Sequence, residues 1–354
     1  MKYKRVLITG GEGFLGSYLV TYLLQTGGYE IVIFDTLDHD ATKQDPKSLL
    51  HYKGNILSEN DVHDVFQKHG PFSIVFHLAS AMPNKADSDE MTWKTNVEGT
   101  KIVAAAAAKS GVQSFIFTSS NVTYGVPKDL PVTEETPVHP VEIYGKSKGE
   151  AEHVLEQYKD SMNIQIFRCP VITGVGRLGL QAILFEFISE NRNVYVLGDG
   201  SNRYQFVDAQ DVCTALEKAT RAKGFDIYTI GGDGVMTLRE LYQSVITYAK
   251  SSSKIVSLPK FSALAALAVL DWFNISPLGV YQYSMIGRSM YADTAKIKKK
   301  LGWKPNKTNE ESFVENYRWY VQHKKEFTQI GSGNVSANRS LPKMGIFTLL
   351  KKLS

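Results

Sequence analysis

Apolar and polar positions follow two different periods along the first half of the chain. Short runs of apolar residues without a polar face predict strands, and stretches with an apolar position every third or fourth residue predict helices. Strands and helices predicted in this way lie at 5–9, 14–25, 30–34, 59–69, 73–77 and 114–118. Strands that are apolar on both faces are typical of a parallel sheet covered by helices. The pattern predicts an α/β fold built on a doubly wound parallel sheet.

The alternation becomes less regular in the second half. A helix from about Gly145 to Tyr158 and a strand at 163–168 end the regular part. We therefore expect a main domain at 1–173, a smaller lobe at 174–327 that interleaves with the main sheet, and a tail at 328–354. Helices and strands of the smaller lobe, separated by loops rich in glycine and proline, are predicted at 181–189, 194–196, 228–230 and 238–248.

Two segments near the carboxyl terminus carry apolar residues outside this pattern. Phe261 to Leu270 is almost wholly apolar but too short for a membrane span, which favours a buried or surface-docked helix. The tail is a polar linker followed by seven apolar residues and three lysines between 341 and 354. Such an end fits an anionic membrane surface, and docking onto its own domain or a second subunit is the alternative.

Composition and charge exclude several classes of protein. The 354 residues are 43% hydrophobic and 21% charged, and a net charge of +4 without a basic stripe predicts no nucleic-acid partner. Two cysteines, without a C-x-x-C pair or a cluster of histidines, predict neither a disulfide framework nor a bound metal. The apolar run from Val6 to Ile8 is too short for a signal peptide, so we expect a cytoplasmic protein.

Three glycines follow the first predicted strand at the start of the first predicted helix. Gly10, Gly13 and Gly16 have the spacing G-x-x-G-x-x-G. In a dinucleotide site the first permits a tight turn, the second lets the backbone approach a pyrophosphate, and the third lets the helix pack on the strand. The spacing alone is equally compatible with a structural turn, but the strand before it and the helix after it favour a dinucleotide.

An acidic residue stands at the end of the second predicted strand. Asp35 would accept hydrogen bonds from the adenosine ribose, and its charge would repel the additional phosphate of NADP. No Arg or Lys follows within several residues to bind that phosphate. The sequence thus predicts NAD as the cofactor of the domain at 1–173, and the alternative is that Asp35 only caps the turn after the strand.

Tyr144 and Lys148 are four residues apart, which places them on one face of a helix. A phenol with its ordinary pKa of about 10 is a poor acid or base at neutral pH, so we expect the ammonium of Lys148 and a positive nicotinamide ring to lower the pKa of Tyr144. Such a pair is common by chance, but its position after a nucleotide-binding half and after Ser119 and Ser120 favours a catalytic role.

With these residues the chain resembles the extended short-chain dehydrogenase/reductase family, in particular its NAD-dependent sugar epimerase/dehydratase branch, from Arg5 to about Trp319. The resemblance implies a Rossmann-type sheet with a smaller C-terminal substrate-binding lobe, and a homodimer. A closing segment at 292–305 is also similar. Seven motifs in the family's order carry the resemblance: Gly10-x-x-Gly13-x-x-Gly16, Asp35, His77 to Ser80, Asn96 to Thr100, Ser119-Ser120 before Tyr124-Gly125, Tyr144 to Lys148, and Gly198 to Gly200.

The resemblance implies a Ser-Tyr-Lys catalytic group. Ser120 would hydrogen-bond the substrate hydroxyl, Tyr144 would move its proton, and Lys148 would hold the cofactor ribose and lower the pKa of the phenol. Hydride from the same carbon would pass to the nicotinamide and leave a ketone.

The resemblance also implies further contacts with the cofactor. It places Asn55 and Ile56 beside the adenine, although Asn55 stands where the family usually has Asp. It places Ala79 and Ser80 along the ribose and phosphates. The remaining implied contacts are Phe14, Leu15, Leu78, Asn96, Thr118 below the nicotinamide, and Pro170 and Val171 near its carboxamide.

Some departures from the family pattern bear on the reaction and the substrate. Family 4,6-dehydratases carry an acidic pair where this chain has Asn121 and Val122, so elimination of water is disfavoured. Nucleotide-sugar enzymes tend to have an Asn at the place of Val171, and their Arg after Gly-Asp-Gly is one position early here, as Arg203. Arg203 and Arg288 are the candidate phosphate ligands, and a solvated surface role is the alternative for each.

Three functions remain open on these grounds. The first is epimerisation or oxidation at a hydroxyl carbon of a sugar, in particular a nucleotide sugar, through a keto intermediate. The second is a 3β-hydroxysteroid-dehydrogenase-like oxidation of an apolar or lipid-linked alcohol, which the missing phosphate ligands and the apolar segment suggest. The third, an NAD-sensing protein without chemistry, is disfavoured because Ser120, Tyr144 and Lys148 are all present.

Overall fold

The structure, a computed structural model, describes residues 3–39, 45–82, 88–177, 179–260, 285 and 287–327. The apolar segment at 261–270 and the tail at 328–354 lie outside these residues, so the predictions for both stay predictions. Among the helices of the described ranges, none is long and apolar enough to cross a membrane. Cys169 and Cys213 are buried free thiols.

Strands and helices alternate in the first half of the chain, as the hydrophobic pattern predicted. The strands are β1 (Lys4–Thr9), β2 (Tyr29–Asp35), β3 (Leu49–Lys53), β4 (Ile74–His77), β5 (Ser114–Ser120) and β6 (Asn163–Cys169). The helices are α1 (Phe14–Thr26), α2 (Glu59–His69), α3 (Asp89–Trp93), α4 (Gly99–Lys109) and α5 (Ile143–Glu156). A π-helical turn (Lys94–Glu98) joins α3 to α4, and a 3-10 turn (Asn121–Tyr124) follows β5.

The second half adds shorter strands and further helices. The strands are β7 (Val171–Thr173), β8 (Val194–Leu197), β9 (Phe206–Asp208), β10 (Phe225–Thr229) and β11 (Ile255–Leu258). The helices are α6 (Gly179–Ser189), α7 (Ala209–Ala219), α8 (Leu238–Ala249), α9 (Ala295–Leu301) and α10 (Asn309–Phe327).

Within the described ranges, seven parallel strands form the main sheet in the order β10-β6-β5-β4-β1-β2-β3. The chain therefore returns from the second half to place β10 beside β6. The strand order reverses between β1 and β4, because β2 lies on one side of β1 and β4 on the other. In doubly wound sheets such a point opens a crevice at the carboxyl ends of the strands, where ligands bind.

The main sheet has an apolar core on each face. Ile8 of β1 belongs to a buried cluster with Leu19 of α1 and residues of α7, whereas Leu7 belongs to a cluster with Val103 of α4 and residues of α2 and α5. All four side chains have no exposed surface, and burying one of this size stabilises the fold by about 1.5–3 kcal/mol. The two clusters confirm a sheet that is covered by helices on both faces.

The smaller lobe has an apolar core of its own. Phe185 of α6 packs at its centre, with ring centroids 6.3 Å from Phe313 and 5.6 Å from Tyr317, both on α10. Leu241 and Val245 bring α8 into the same cluster. Helix α10 also contacts β7 and β9, the two short strands that pair outside the main sheet.

Candidate active site

The turn after β1 has a backbone that only glycine tolerates. Gly10 has a φ of +73°, and a Cβ at this position would lie 2.7 Å from the backbone nitrogen of Ala79. A Cβ on Gly16 would collide with the carbonyl oxygen of Gly10. The N–H of Gly13 donates to the Gly10 carbonyl over 3.1 Å, and Gly13 precedes α1, whose first residue is the buried Phe14. The turn leaves a cradle at the N-terminus of a helix, which fits a pyrophosphate.

Asp35 lies at the end of β2 beside this turn. Its carboxylate accepts hydrogen bonds from the backbone N–H groups of Glu12 and Leu37, each over 3.0 Å. Burial raises the pKa of Asp35, and the two hydrogen bonds oppose that rise. The side chain therefore caps the turn after β2 and also ties this turn to the glycines. Its place fits recognition of a ribose, and the alternative role as a cap is realised as well.

Asn55 and Ile56 lie between β3 and α2. The side-chain oxygen of Asn55 accepts a hydrogen bond from the N–H of Leu57 over 2.9 Å. Ile56 is buried, and a Cβ on Gly99 would lie 2.6 Å from its Cδ1. Both residues thus have structural partners of their own at the predicted adenine side of the site.

Ser80 and Asn96 meet in a polar network beyond the end of β4. The side-chain oxygen of Asn96 accepts hydrogen bonds from the hydroxyl of Ser80 over 3.1 Å and from the N–H of Ala81 over 2.8 Å. Its amide nitrogen donates to the Ala81 carbonyl over 3.0 Å and to the hydroxyl of Ser147 on α5 over 2.9 Å. Asn96 lies in the π-helical turn, a rare conformation that is frequent at functional sites.

A buried histidine holds the end of β4 against β1. Nδ1 of His77 lies 2.7 Å from the hydroxyl of Thr9, and Nε2 lies 3.0 Å from the hydroxyl of Thr100. Burial lowers the pKa of His77 to about 3, so its ring is neutral at physiological pH. The N–H groups of Leu78 and Ala79 donate to the carbonyl and the hydroxyl of Thr9 over 3.1 Å and 3.3 Å. These bonds fix Leu78 and Ala79 beside the glycine turn.

Two local features position Tyr144 at the start of α5. The side chain of Glu142 accepts hydrogen bonds from the N–H groups of Tyr144 and Gly145, each over 2.7 Å. A Cβ on Gly145 would lie 2.8 Å from the carbonyl oxygen of Val122, so this glycine lets the helix approach the 3-10 turn. The hydroxyl of Ser120, at the start of that turn, accepts from the N–H of Val122 over 3.4 Å. The end of β5 and the first turn of α5 are thus in close contact.

Lys148 lies one helical turn further along α5 and is buried. Its Nζ donates to the carbonyl of Thr118 over 2.8 Å and lies 5.9 Å from the ring centroid of Tyr144 and 4.6 Å from that of Phe117. Burial lowers the pKa of Lys148 to about 8. The structure therefore brings Thr118, Tyr144 and Lys148 together at the carboxyl end of β5.

The pKa of Tyr144 moves in the direction opposite to the expected one. Burial raises it to about 12, and Ser80 and Arg177 oppose this rise. The expectation of a lowered pKa was wrong for the protein's own groups, because the cost of burying a phenolate exceeds their favourable interactions. Tyr144 is therefore protonated at neutral pH in the protein alone.

Arg177 is a residue of this region that the sequence analysis missed. Its guanidinium carbon lies 5.4 Å from the ring centroid of Phe14 at the start of α1. Burial lowers the pKa of Arg177 to about 10, and its interaction with Tyr144 opposes this change. The segment after β7 thus brings a cation near both the glycine turn and α5.

The sequence analysis also missed a buried network of charged residues between β5, β6 and α5. Arg168 and Glu152 are 5% and 6% exposed, and their closest nitrogen and oxygen are 2.7 Å apart. The hydroxyl of Ser119 donates to Glu152, and Arg168 donates to the hydroxyl of Tyr124 over 3.2 Å. The network joins β5, β6 and α5, and so holds the elements that carry the candidate catalytic residues.

The residues predicted on the substrate side are spread more widely. Pro170 is buried, and Val171 is half-buried at the start of β7. Arg203 and Arg288 are both exposed. Their segments are neighbours, because the N–H of Arg203 donates to the hydroxyl of Ser289 over 3.0 Å. The structure thus places the two arginines on adjacent segments at the surface of the smaller lobe.

Comparisons of the whole chain with known proteins find similar sequences. The model of the NAD dependent epimerase/dehydratase family matches residues 6–231, which is more than half of the chain. The chain is 34% identical to the uncharacterized protein y4nG of Sinorhizobium fredii, over 98% of this chain and 85% of that protein. It is 28% identical to the dTDP-D-glucose 4,6-dehydratase of Mus musculus, over 90% of this chain and 88% of that enzyme.

A solved structure of a known enzyme has a similar fold. The crystal structure of the UDP-glucose 4-epimerase of Thermotoga maritima with UDP-glucose superimposes with a TM-score of 0.75 and 25% sequence identity. The match covers 90% of this chain and 99% of that enzyme. The agreement extends over both the main sheet and the smaller lobe.

Proposed function

Because the chain belongs to the NAD dependent epimerase/dehydratase family, as its motifs predicted, we propose that it epimerises a hydroxyl carbon of a nucleotide sugar through a transient keto intermediate. The observation that carries this proposal is the position of Tyr144 and the buried Lys148 against the end of β5, next to the glycine turn. NAD is the cofactor of the family, and when bound it takes up the hydride of the oxidised carbon and returns it.

In the proposed reaction, two side chains act on the substrate hydroxyl and a third holds the cofactor. Ser120 holds this hydroxyl by a hydrogen bond, Tyr144 accepts its proton and later returns it, and Lys148 holds the ribose of the cofactor. With a pKa of about 12, Tyr144 is protonated in the protein alone and becomes a base only beside a positive charge. The proposal therefore requires the cofactor to bind before the substrate reacts.

The cofactor would lie along the carboxyl ends of β1, β2, β4 and β5. Gly10, Gly13 and Gly16 leave room for its pyrophosphate, and Asp35 would accept from its adenosine ribose. The fit is supported by the close approach of the Gly10 and Ala79 backbones, which leaves no space for a side chain in the turn. Further contacts are proposed for Phe14, Leu15, Asn55, Ile56, Leu78, Ala79, Ser80, Asn96, Thr118, Pro170 and Val171.

Epimerisation is favoured over elimination of water by the residues after Ser120. Asn121 and Val122 are 7% and 8% exposed, and neither is a carboxylic acid. Elimination needs a group that removes a proton from carbon and a group that protonates the leaving hydroxyl. Since both positions that hold such groups in the dehydratases are neutral here, the keto intermediate would be reduced again instead of losing water.

The residues on the substrate side give weaker support for a nucleotide sugar than the cofactor side gives for NAD. Arg203 and Arg288 lie on adjacent segments and are proposed to bind the diphosphate. The alternative of an apolar alcohol is not favoured, because the relatives with named substrates act on nucleotide sugars. A homodimer and a contact of the tail with a membrane or with protein stay predictions.

A panel of substrates tests the proposal. The purified chain, with NAD in catalytic amount, is offered UDP-, GDP- and dTDP-sugars and a sterol, and products are followed by NMR together with NADH absorbance. We expect one nucleotide sugar to give its epimer while the NADH absorbance stays constant. Accumulation of NADH with a sugar acid or ketone, or a 4-keto-6-deoxy product, would contradict epimerisation.

A further inference from the structure

Four side chains from separate parts of the sequence form a cluster at the edge of the main sheet. Glu12 lies in the glycine turn, His39 and Asp45 lie between β2 and β3, and His51 lies on β3. Oε1 of Glu12 is 2.7 Å from Nδ1 of His51 and 3.5 Å from Nδ1 of His39. Each of the four is between 19% and 26% exposed. The cluster is therefore half-buried, and it adjoins the cofactor side of the proposed site through Glu12.

The opposite sides of the two rings contact one carboxylate. Oδ2 of Asp45 lies 2.9 Å from Nε2 of His39 and 2.9 Å from Nε2 of His51. The rings stack with centroids 3.5 Å apart and an angle of 25° between their planes. Both histidines thus present Nε2 to Asp45 and Nδ1 to Glu12.

This orientation is compatible with metal binding at one side of each ring. A carboxylate oxygen only accepts hydrogen bonds, so each Nε2 can donate a hydrogen to Asp45. A neutral ring that does so has its lone pair on Nδ1, on the side of Glu12. Zinc binds imidazole through such a lone pair and a carboxylate through its oxygen.

One divalent cation beside the two Nδ1 atoms would bind both rings in their neutral form. It would also balance the negative charges of the carboxylates of Glu12 and Asp45.

We propose that Glu12, His39 and His51 bind one Zn²⁺ ion, with Asp45 orienting both imidazoles. The three ligand atoms lie within 4.8 Å of one another, and tetrahedral bonds of about 2.1 Å separate ligand atoms by about 3.4 Å. The distance of 3.5 Å from Oε1 of Glu12 to Nδ1 of His39 meets this value, and the carboxylate would move away from His51, now at 2.7 Å, when the ion binds. Two imidazoles and one carboxylate form a ligand set that zinc uses in proteins, with water as the fourth ligand. A carboxylate that accepts from the second nitrogen of each ligating histidine is a usual partner in zinc sites.

The ion would act as a clip between three segments. It would join the glycine turn through Glu12, the loop after β2 through His39, and the edge strand β3 through His51. The backbone N–H of Glu12 already donates to Asp35, so the clip would stiffen the side of the site proposed for the adenosine ribose. The expected consequence is a Tm that rises with the concentration of Zn²⁺.

Titration of the full chain, without a histidine tag and freed of metal by EDTA, tests this site. Co²⁺ is added first, because a four-coordinate site gives it a visible absorption band, and Zn²⁺ is then added to displace it. We expect one ion of either metal per chain and a higher Tm with Zn²⁺. Saturable binding should be lost in the variant H39A/H51A and retained in H63A, which removes an exposed histidine of α2.

A second variant keeps the test decisive if H39A/H51A does not fold. Asp45→Asn leaves all three ligands in place and should weaken Zn²⁺ binding by about 10- to 100-fold, as changes to such partners usually do. Absence of saturable binding by the unaltered chain, or equal binding by the unaltered chain and H39A/H51A, overturns the proposal. If mild acid in the presence of EDTA stabilises the chain as much as Zn²⁺ does, the stabilisation does not require a metal ion. This result would also overturn the proposal.

Discussion

The cofactor half and the substrate half of the proposed site differ in how their side chains are held. In the cofactor half, Asp35, Asn96 and Lys148 are buried or half-buried, and each has hydrogen-bond partners within the protein. In the substrate half, Arg203 and Arg288 are exposed at the surface of the smaller lobe. Groups that are already ordered lose little entropy on binding, whereas exposed side chains must be ordered by the ligand. The cofactor half is thus built into the fold, and the substrate half is adaptable.

The largest expected effect separates chemistry from cofactor binding. Tyr144→Phe should lower kcat by about 10²- to 10⁴-fold, because the phenol moves the proton, while the affinity for NAD stays nearly unchanged. Steady-state kinetics and a fluorescence titration with NAD measure the two quantities. Tyr248→Phe, at an exposed position of α8, is the matched control and should change neither. A Phe variant with more than about a tenth of the original rate would exclude this role for Tyr144.

A similarly large effect on stability is expected at the buried pair behind β5. Glu152→Ala leaves the guanidinium of Arg168 buried without its partner, and should cost about 3–5 kcal/mol of unfolding free energy. Urea unfolding measures it. Replacing both residues by Met should recover much of the loss, because no unpaired charge remains. Asp64→Ala, which breaks an exposed pair on α2, is the control, and an equal loss there would refute the importance of burial.

Asp35 tests whether the cofactor half also determines the choice of cofactor. Asp35→Ala removes a charged acceptor, and should weaken NAD by about 10-fold or more, because hydrogen bonds to charged groups contribute about 1.5–3 kcal/mol. The same change should strengthen NADP relative to NAD, since the repulsion of the additional phosphate is lost. Calorimetric titration with both cofactors gives the ratio, with the exposed Asp38→Ala as control. An unchanged ratio would leave Asp35 with only its role as a cap.

The buried His77 predicts a dependence of stability on pH. Its pKa is about 3 in the folded chain against 6.5 in the unfolded chain, so between these values only the unfolded chain binds the proton. The contribution of His77 to the free energy of unfolding should fall by about 1.4 kcal/mol for each pH unit between 6.5 and about 3. Above pH 6.5 this contribution should be constant. Urea unfolding at several pH values measures the slope. His77→Gln should flatten it, whereas a slope kept in that variant and lost in the exposed His63→Gln would point to another group.

The smallest effects are expected in the substrate half. Arg203→Ala and Arg288→Ala should each raise KM by less than about 10-fold, because an exposed charge contributes about 0–1 kcal/mol. Neither variant should change the affinity for NAD. Initial rates give KM. An increase well beyond this range would show that the substrate orders these arginines into a buried site, and the two halves would then not differ as described.

The fold and the cofactor turn could be predicted because their causes are local. Strands without a polar face, a glycine at each point of close backbone contact, and Asp35 at a strand end are all visible in a short window of sequence. β3 was missed because it is an edge strand, in which only Leu49 is buried and the apolar pattern is weak. The glycine turn and most strands of the main sheet were therefore predicted, whereas the edge strand β3 and the helices α7 and α10 were not.

The rest of the site depends on contacts between distant segments. The pKa of Tyr144 was expected to fall because a cation follows it by one helical turn, but burial is not visible in that spacing. The pair of Glu152 and Arg168 and the approach of Arg177 also arise only when β5, β6 and β7 lie side by side. The histidines of the proposed zinc site are twelve residues apart, and the parallel pairing of β2 with β3 brings their segments together.

One measurement tests the central claim of an internal oxidation and reduction most directly. A nucleotide sugar that reacts in the panel is prepared with deuterium on the carbon that changes configuration, and the product is examined by mass spectrometry and NMR. The account predicts an epimer that keeps its deuterium, no net formation of NADH, and a rate that is about 10²- to 10⁴-fold lower with Tyr144→Phe. Transfer of the deuterium into accumulating reduced cofactor would show a net dehydrogenase and would contradict the account.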